Sequence, residues 1–544
     1  MKKSSFKQVI HFMAILSLLL LAACSGGASQ TSSDGKQSAS KSKDTLFLGM
    51  VNPPILFNPI NSSDVASTWV EKFMFDSLLE MDGPLNFVPR LADSFETSDN
   101  QTYTIKLNAK ANWSDGKPVT AEDMAFTLNL VANPKVETTV GGYIATLDGL
   151  DASGKLPEGV TEIPSVKVID EKTLEFKTSK PVDPNMLKEQ LGVKFMVLPK
   201  HILKDVDPSK LSQHPFFQNP NVTNGAYKFV KYQKDQFVEL AANDNYYFGK
   251  PETKKIFVKI MPAPNLVAQL QTGELDMNIA SGIGKIAVQD YETVEKMKNV
   301  RTKVEPTIGF QTMEFNTKTI QDPKVRQAIA YALDRNVLVD KLLKGYGEVV
   351  DGPYTSLNPY LNKDMENYKH DPEKAKQLLE EAGWDFNKPI RLVVPIGNKI
   401  REQSAPIIAQ QLQQVGLKVE VTTYDFPTLL QKGKAGDFDL LLIGFTLTLD
   451  PDVSMLYGAK GPYNFSGYNN SKSDELLASG KTEPDADNRK QIYNELQAIW
   501  NEDMPIITLY SDSDFSGISK DVKYGEPKVF GFHHNIHKWG FGAQ

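Results

Sequence analysis

Apolar positions in the carboxyl-terminal half of the chain follow two different spacings, which predict two kinds of element. Residues 440–443 form an unbroken apolar run between charged residues and a glycine. The run is too short for a core helix and is typical of a strand buried on both faces. Residues 323–333 instead place Val325, Ile329 and Leu333 on one helical face, directly after an Asp-Pro pair that suits a helix start. Elements of both kinds alternate here, with strands at 390–395, 418–424 and 439–445 and helices at 403–415 and 427–434.

This alternation of strands and helices predicts an α/β lobe with a mainly parallel sheet and right-handed crossovers. The amino-terminal half predicts a further sheet from residues 226–241 and 255–261, strands at 45–50 and 102–107, and a helix from 65 to 80. Thr120 and Asp123 resemble a capping box that opens another helix, ending near residue 131. No low-complexity linker follows residue 44, so two lobes joined by short crossings would suit a hinged clamp.

Composition and charge narrow the class of protein. At 544 residues the chain has room for roughly three domains, and 40% hydrophobic with 23% charged residues is ordinary for a soluble globular protein. The formal net charge of −7 disfavours nucleic acid or anionic lipid as a partner of the folded body. The single cysteine, Cys24, excludes an intramolecular disulfide and any CxxC metal or redox site.

The first 23 residues have the pattern of a secretory signal. Lysines precede an apolar segment, residues 12–23, that is well short of the roughly 20 residues a membrane-spanning helix requires. The small residues before Cys24 resemble the lipobox of bacterial lipoproteins, which implies cleavage before Cys24 and acyl chains that hold the protein on the extracytoplasmic side of the cell membrane. Residues 25–44, rich in Ser, Gly, Gln and Lys, predict a flexible tether. A stray cysteine behind an ordinary signal is the alternative.

Motifs of hydrolases and metal enzymes are missing from the sequence. It has neither a G-x-S-x-G elbow nor an H-E-x-x-H pair. Residues 479–482 end like a phosphate loop, but Glu475 stands where that loop requires its first glycine. His533, His534 and His537 could bind a metal, although the neighbouring Phe532 and Trp539 favour a terminal packing segment. The sequence therefore predicts neither an enzyme nor a cofactor or metal site.

Several short segments, in order along the chain, resemble the extracellular solute-binding proteins of family 5. These are the oligopeptide-, dipeptide- and nickel-binding components of ABC importers. The segments that carry the resemblance are residues 91–123, 224–229, 243–251, 270–276, 325–330, 334–335 and 502–505. The resemblance implies an α/β fold of the two-lobed periplasmic-binding-protein type (class II, three-domain oligopeptide-binding form), with hinged lobes and mixed, largely parallel sheets.

The resemblance also implies domain limits. After the signal peptide (1–23) and the lipidated cysteine with its tether (24–44), the core of lobe I would take residues 45–85, 205–305 and 515–544. An extra domain of lobe I would take residues 86–204. Lobe II would take residues 306–514.

The function implied by the resemblance is peptide capture for import. The two lobes would close around an extended oligopeptide, and the protein, as a monomer, would then deliver it to a permease in the membrane. Binding the ammonium and backbone that all peptides share would permit broad specificity. A receptor for a signalling peptide, a binder of nickel or an oligosaccharide, an exported hydrolase and a surface adhesin remain alternatives.

The predicted ligand site begins where the strand at 439–445 ends. Ligands of open α/β sheets lie outside the carboxyl ends of strands, and by resemblance the backbone of Gly444, Phe445 and Thr446 meets the peptide. Many relatives carry an ammonium-binding aspartate four residues after that glycine, where this sequence has Thr448. We therefore expect Asp450 to bind the peptide ammonium. Asp452, an anchor from elsewhere in the chain and a simple capping role for Asp450 are the alternatives.

Three further residues are expected at the ligand site. Asp64 and Val65 lie in an early loop that resembles the loop lining the peptide in the family. Tyr143 falls where the extra domain can face the cleft. Ordinary roles in a loop or in packing are the alternatives for all three.

Overall fold

The structure is a computed structural model that describes residues 44–279, 282–365 and 368–541. The expected signal peptide, the lipidated Cys24 and the tether up to residue 43 lie outside the described residues. None of the helices within the described ranges has the length and apolar character needed to cross a bilayer.

Strands account for the frame of the molecule. In chain order they are β1 Thr45–Met50, β2 Leu79–Gly83, β3 Asn86–Pro89, β4 Ala92–Thr97, β5 Thr102–Leu107, β6 Val166–Val168, β7 Thr173–Lys177, β8 Tyr227–Gln233, β9 Phe237–Ala242, β10 Lys255–Ile260, β11 Met277–Asn278, β12 Val300–Pro306, β13 Gly309–Phe315, β14 Gly347–Glu348, β15 Pro389–Pro395, β16 Lys418–Tyr424, β17 Leu440–Thr446 and β18 Ile506–Ser519.

Helices cover the sheets. They are α1 Val65–Met74, α2 Ala121–Ala132, α3 Gly141–Ile144, α4 Pro184–Leu187, α5 Lys200–Leu203, α6 Ala263–Thr272, α7 Tyr291–Glu295, α8 Pro323–Ala332, α9 Arg335–Val337, α10 Pro372–Glu381, α11 Lys399–Gln414, α12 Phe426–Ala435, α13 Ser454–Tyr457, α14 Ser471–Thr482 and α15 Ala486–Asp503. A π-helical turn, Lys188–Val193, follows α4 directly.

One large mixed sheet runs through the molecule in the order β16-β15-β17-β13-β18-β11-β1-β10-β9-β8, and β12 and β14 also pair with β18. Pairing is parallel where β1 meets β10 and β11 and where β15 meets β16 and β17. The other pairs of this sheet are antiparallel, among them β13 with β17 and β9 with β10. The sheet is therefore more mixed than the expectation of largely parallel pairing, because hairpins and the long strand β18 add antiparallel partners.

Strand β18 links the two halves of this sheet. Its first part pairs with β13 and its last part with β12, so the chain crosses between the halves near residue 308 and again along β18. We call the side built on β1, β8, β9 and β10 the first lobe, and the side built on β13 and β15–β17, with helices α8 to α15, the second lobe. Two large apolar clusters follow this division, although the side chains of α6 and α7 join the cluster of the second lobe.

A separate four-stranded sheet, in the order β4-β5-β7-β6, belongs to the first lobe. Helix α2 packs on it and begins with the predicted capping box, in which Thr120 and Asp123 bond each other's backbone amides. The segment 178–204 follows β7, and its apolar side chains join the core of the first lobe. This arrangement places residues 183–194 at the face that meets the second lobe.

Most predicted elements occur at or near their predicted positions, but α1 is shorter than expected. The pattern predicts a helix from 65 to 80, whereas α1 ends at Met74. Asn224 accepts a hydrogen bond from the amide of Asp76, and Gly225 donates to the carbonyl of Met74. These distant residues bind the backbone groups that a longer helix would use, so tertiary contacts end the helix.

Candidate functional site

The end of β17 has one edge that no strand of the described residues covers. On one side Gly444, Phe445 and Thr446 pair with residues 309–311 of β13. On the other side, within the described residues, β15 pairs with β17 only at Leu440 and Leu441. Gly444 and Phe445 are half-buried and Thr446 is exposed. An extended chain can therefore add to this edge through backbone hydrogen bonds.

Arg401 lies beside this edge. Its Nε and Nη2 donate to Oε1 of Gln311 at 2.9 and 2.7 Å, and it forms no ion pair among the residues that the structure describes. A Cβ on Gly444 would stand 2.5 Å from Oε1 of Gln311 and 2.8 Å from Nη2 of Arg401, so a larger residue here would displace the ends of both side chains. Burial lowers the pKa of Arg401, but the group stays charged at any physiological pH. The site thus offers a cation to an anionic group.

Asp450 is buried and already has a cationic partner. One carboxylate oxygen accepts from Nη1 of Arg489 at 2.8 Å, and the other accepts from the amide of Asp452 at 3.0 Å. Burial raises the pKa of Asp450, an effect that Arg489 opposes. Asp452 is more exposed and pairs with Lys481 at 3.1 Å. Asp450 therefore lies at the predicted place but bonds to protein groups in this structure.

Glu189, on the π-helical turn of the first lobe, contacts the loop that carries Asp450. Its two carboxylate oxygens accept from the amides of Leu449 and Asp450 at 3.1 and 2.9 Å. The side chain of Leu449 is fully buried within the apolar cluster of the first lobe. The loop after β17 is thus inserted into the opposite lobe, and the lobes are in contact at the predicted site.

A second contact between the lobes is made by Asp183. Its Oδ2 accepts from Nη1 of Arg489 at 3.0 Å and from the hydroxyl of Tyr360 at 3.1 Å. Its Oδ1 accepts from the amide of Asn185 at the start of α4. Asp183 therefore caps a helix of the first lobe and bonds the second lobe with the same carboxylate.

Val65 lines a cavity of about 250 Å³ between α1, the π-helical turn and the segment 528–533. Val65 is exposed, and Glu189 and Lys194 line the same cavity. Lys194 also lies 6.0 Å from the ring centre of Tyr143 and 3.6 Å from the carboxylate of Glu189. Through these two residues the structure brings Val65, Tyr143 and the loop of Asp450 into one neighbourhood.

Asp64 has a local role that the sequence did not indicate. Its Oδ1 accepts from the amide of Ser67 at 2.7 Å and caps α1. Its Oδ2 is buried and has no hydrogen-bond partner within the described residues. Asp64 is adjacent in sequence to Val65, which lines the cavity, but one carboxylate oxygen of Asp64 caps helix α1.

Sequence reasoning did not identify Glu189, Asp183, Arg489 or Arg401. All four lie in ordinary amphipathic or turn segments, and their partners are far away in sequence, 306 residues for Arg489 and Asp183. An excess of charge at otherwise apolar positions, as at Arg489 in α15, was the only available signal. Such a signal does not reveal the partner.

The carboxyl-terminal histidines pack against the first lobe. Arg90 donates to the carbonyls of His533 and His534 and pairs with Asp76. Burial lowers the pKa of His537 to about 4. No group of three potential metal-ligating side chains occurs in the described part of the chain. Residues 479–482, which end like a phosphate loop, lie inside α14.

Comparison with known proteins gives a consistent result. Residues 86–467 match the model of the bacterial extracellular solute-binding proteins, family 5. The chain is 30% identical to the oligopeptide-binding protein AppA of Bacillus subtilis, over 98% of both chains. It is 24% identical to the dipeptide-binding protein of Escherichia coli, over 85% of this chain and 88% of that protein.

Solved structures agree in fold. The structure of Bacillus subtilis AppA in complex with a nonapeptide superposes with a TM-score of 0.74 at 27% identity and covers 92% of this chain and 100% of that one. The substrate binding protein CtaP of Listeria monocytogenes superposes with a TM-score of 0.81 at 26% identity, with the same coverage. From the match to the family model and the full-length relative, we conclude that the chain belongs to the bacterial extracellular solute-binding proteins of family 5.

Proposed function

We propose that the protein binds oligopeptides in the cleft between its lobes and delivers them to the permease of an ABC importer. The names of its relatives support a peptide ligand, since they include oligopeptide- and dipeptide-binding proteins and a nonapeptide complex. The observation that carries the proposal is the uncovered edge of β17 at the interlobe contact. A peptide backbone added there would form hydrogen bonds that do not depend on its side chains, which suits broad specificity.

We propose that residues of opposite charge bind the two ends of a peptide. We propose Asp450 as the anchor of the peptide ammonium, with Gly444, Phe445 and Thr446 along the backbone. Arg401 is suited to the peptide carboxylate or to an acidic side chain, because a guanidinium can bind a carboxylate through two parallel hydrogen bonds. The ammonium would reach Asp450 while the lobes are apart, and after closure it would share this carboxylate with Arg489.

The remaining contacts are proposed from the cavity beside α1. Val65 would contact a ligand side chain, and Asp64 would act mainly by fixing the loop before α1. Tyr143 would contribute through Lys194, whose ammonium lies near its ring. Water in such a cavity can adapt to different side chains at low cost.

The location of the protein follows in part from its family, whose members are described as extracellular solute-binding proteins. We propose further that Cys24 carries a lipid that anchors the protein to the outer face of the cell membrane, that the protein acts as a monomer, and that it has no catalytic activity. We also propose the domain limits at 86–204 and 306–514, which are supported in part by the separate four-stranded sheet of the first lobe.

Ligands that co-purify with the protein test the function directly. Native mass spectrometry of the purified protein should find peptides, and a mixture of synthetic peptides should be recovered intact after prolonged incubation. Recovery of nickel or an oligosaccharide instead, or of cleaved peptides, would contradict the proposal. A single peptide species in every preparation would favour a receptor for one signalling peptide.

The Asp450 assignment has a separate test. We expect Asp450→Ala to weaken peptides with a free amino terminus by about 1 to 3 kcal/mol, through loss of a charge-assisted hydrogen bond. Isothermal titration calorimetry should find little change for peptides with an acetylated amino terminus. Asp452→Ala tests the neighbouring candidate. Unchanged affinity of Asp450→Ala for free peptides would reject the anchor and leave the peptide-binding function intact.

A further inference from the structure

Three charged side chains from both lobes meet in a buried cluster behind the ligand loop: Asp183 of the first lobe, and Arg489 and Asp450 of the second. Their side chains are 2%, 1% and 6% exposed. We propose that the contact between Asp183 and Arg489 is an interlobe latch, which closes the cleft before a peptide arrives and thereby sets the affinity for peptide. The part that concerns affinity rests on the proposed function.

Arg489 is held rigidly by its own lobe. Its Nε donates to the carbonyl of Gly480 at 2.8 Å, and its Nη1 donates to Asp450 at 2.8 Å. The rings of Tyr360 and Tyr493 lie 5.8 and 5.6 Å from the guanidinium carbon. The guanidinium is therefore positioned independently of the first lobe, and bonding Asp183 costs it little conformational entropy.

Asp183 is held equally firmly by the first lobe. It caps α4 through the amide of Asn185 at 2.8 Å, so its carboxylate cannot turn away without breaking the cap. In the closed arrangement its second oxygen accepts from Arg489 and from Tyr360. Closure thus removes this carboxylate from water but gives it two new donors, one of them charged. A buried charge with all its hydrogen bonds made is tolerated, whereas the loss of one donor is costly.

Glu189 adds a second bond between the same two bodies. It accepts from the amides of Leu449 and Asp450 and lies on the turn that follows α4, six residues from Asp183. The Asp183 contact uses a capped side chain of the first lobe, and the Glu189 contact uses main-chain amides of the second lobe. They are therefore made or broken together when the lobes separate.

These contacts do not include the uncovered edge of β17, so the latch can persist when a peptide occupies that edge. A contact that stabilises the closed form with and without peptide reduces the population of the open form in both cases. Loss of the contact should therefore open the ligand-free protein and speed the release of bound peptide. Asp183 and Arg489 would act as positioning residues, without touching the peptide.

Asp183→Asn is the most direct test. Asparagine can still cap α4 with its single oxygen, and its NH2 group, which cannot accept from Arg489, then takes the place of the second carboxylate oxygen. Arg489 keeps its partner Asp450, so no charge is left unpaired. Spin labels on Glu158→Cys in the first lobe and Lys434→Cys in the second, with Cys24→Ser, would report the distance between the lobes by pulsed electron paramagnetic resonance. We expect the ligand-free Asp183→Asn protein to shift to longer distances and to release peptide about 5- to 50-fold faster.

Two further variants keep the test decisive. Tyr360→Phe removes one donor to Asp183 and should shift the distances in the same direction. Asp123→Asn is the matched control: it is a buried capping aspartate whose partners, Thr120, Trp113 and Lys200, all lie in the first lobe. It should leave the distances and the release rate unchanged, even if it lowers the melting temperature.

The outcomes separate the two proposals. Unchanged distances in both Asp183→Asn and Tyr360→Phe would overturn the latch, and so would an equal shift in Asp123→Asn. Failure of every variant and of the wild type to bind any peptide would overturn the proposed function. In that case the distance measurement would still decide whether the latch exists.

Discussion

The environment of Arg401 differs from that of an ordinary surface arginine. It is half-buried and donates to the neutral side chain of Gln311, and the neighbouring carboxylate of Asp512 is itself paired with Lys285. Within the described residues the guanidinium of Arg401 forms no ion pair, and it lies next to Gly444. This arrangement attracts an anion to the end of β17.

We expect Arg401→Gln to weaken peptides with a free carboxylate by about 1 to 3 kcal/mol, because a charge-assisted bond is lost. Peptides with an amidated carboxyl end should lose much less. Calorimetry with matched free and amidated peptides measures both. Arg391→Gln, which removes a more exposed arginine paired with Asp437 and Asp439 in the same lobe, should change neither affinity. An equal loss for both peptide forms would contradict the role of Arg401.

The buried carboxyl group of Glu71 leads to a second prediction, which concerns how the stability of the fold depends on pH. Burial raises its pKa to about 8, opposed by a hydrogen bond from Ser62 and assisted by the charge of Asp64. Since the pKa is raised above its ordinary value of 4.5, the folded protein holds a proton that the unfolded chain releases. The contribution of the protonated Glu71 to the free energy of unfolding is fully present below pH 4.5 and is lost as the pH rises towards 8.

Glu71→Gln keeps the acceptor for Ser62 and removes the titration. From pH 5 to pH 8, the difference in free energy of unfolding between the variant and wild type should increase by about 2 to 4 kcal/mol in favour of the variant. Urea denaturation at several pH values measures this difference. A difference that stays constant over this range would contradict the raised pKa.

Single residues were the hardest part to predict from the sequence. The sequence indicates the turn after β17 as a candidate site but not the partner of Asp450, because Arg489 lies 39 residues further along the chain. Asp450 as the ammonium anchor remains a prediction, and so do Asp64, Val65 and Tyr143 as ligand contacts. Propensity and spacing describe neighbours in sequence, whereas a buried ion pair depends on neighbours in space.

At the scale of elements, local sequence determined most boundaries. Strands 45–50, 102–107 and 418–424 have the predicted limits, and α8 begins with the predicted cap at Asp322 and proline at its first turn. These elements carry their own signals, in caps, prolines and apolar spacing. Helix α1 departs from its pattern because Asn224 and Gly225 bind the backbone at its end.

The close packing of Gly225 against the end of α1 leads to a prediction about stability. A Cβ at this position would lie 2.6 Å from the backbone of Phe73 and Met74, which cannot move without displacing the end of α1. We expect Gly225→Ala to lower the free energy of unfolding by about 1 to 3 kcal/mol. Gly142→Ala, where a Cβ meets nothing within 4 Å, should be neutral or slightly stabilising. Chemical denaturation compares the two, and equal stability would contradict the close approach.

At the scale of the whole molecule, strand β18 is shared by both lobes. It pairs with β13 and β12, and its side chains contribute to both large apolar clusters, through Ile518 in the first and Phe515 in the second. Neither cluster can unfold completely while this strand stays paired in the other. The order of the sheet could not be predicted from sequence, since it depends on pairings hundreds of residues apart.

We therefore expect the folded body to unfold in one cooperative transition. Differential scanning calorimetry should give a single peak whose calorimetric and van't Hoff enthalpies agree. A saturating peptide, at about 100 times its dissociation constant, should raise the melting temperature by adding about 2.7 kcal/mol to the stability of the folded state. Two resolved peaks would indicate that the lobes unfold separately.

The way in which Glu189 holds the loop after β17 bears on how this protein could diversify. Glu189 binds main-chain amides of that loop, and Tyr354 donates to the carbonyl of Pro451. Thr448 adds one long hydrogen bond, from its hydroxyl to the carbonyl of Asp450 at 3.3 Å, so the main anchors of the loop do not depend on this side chain. Substitutions at this position could therefore change which ligands are bound without unfolding the loop. The same holds for substitutions that arise during evolution.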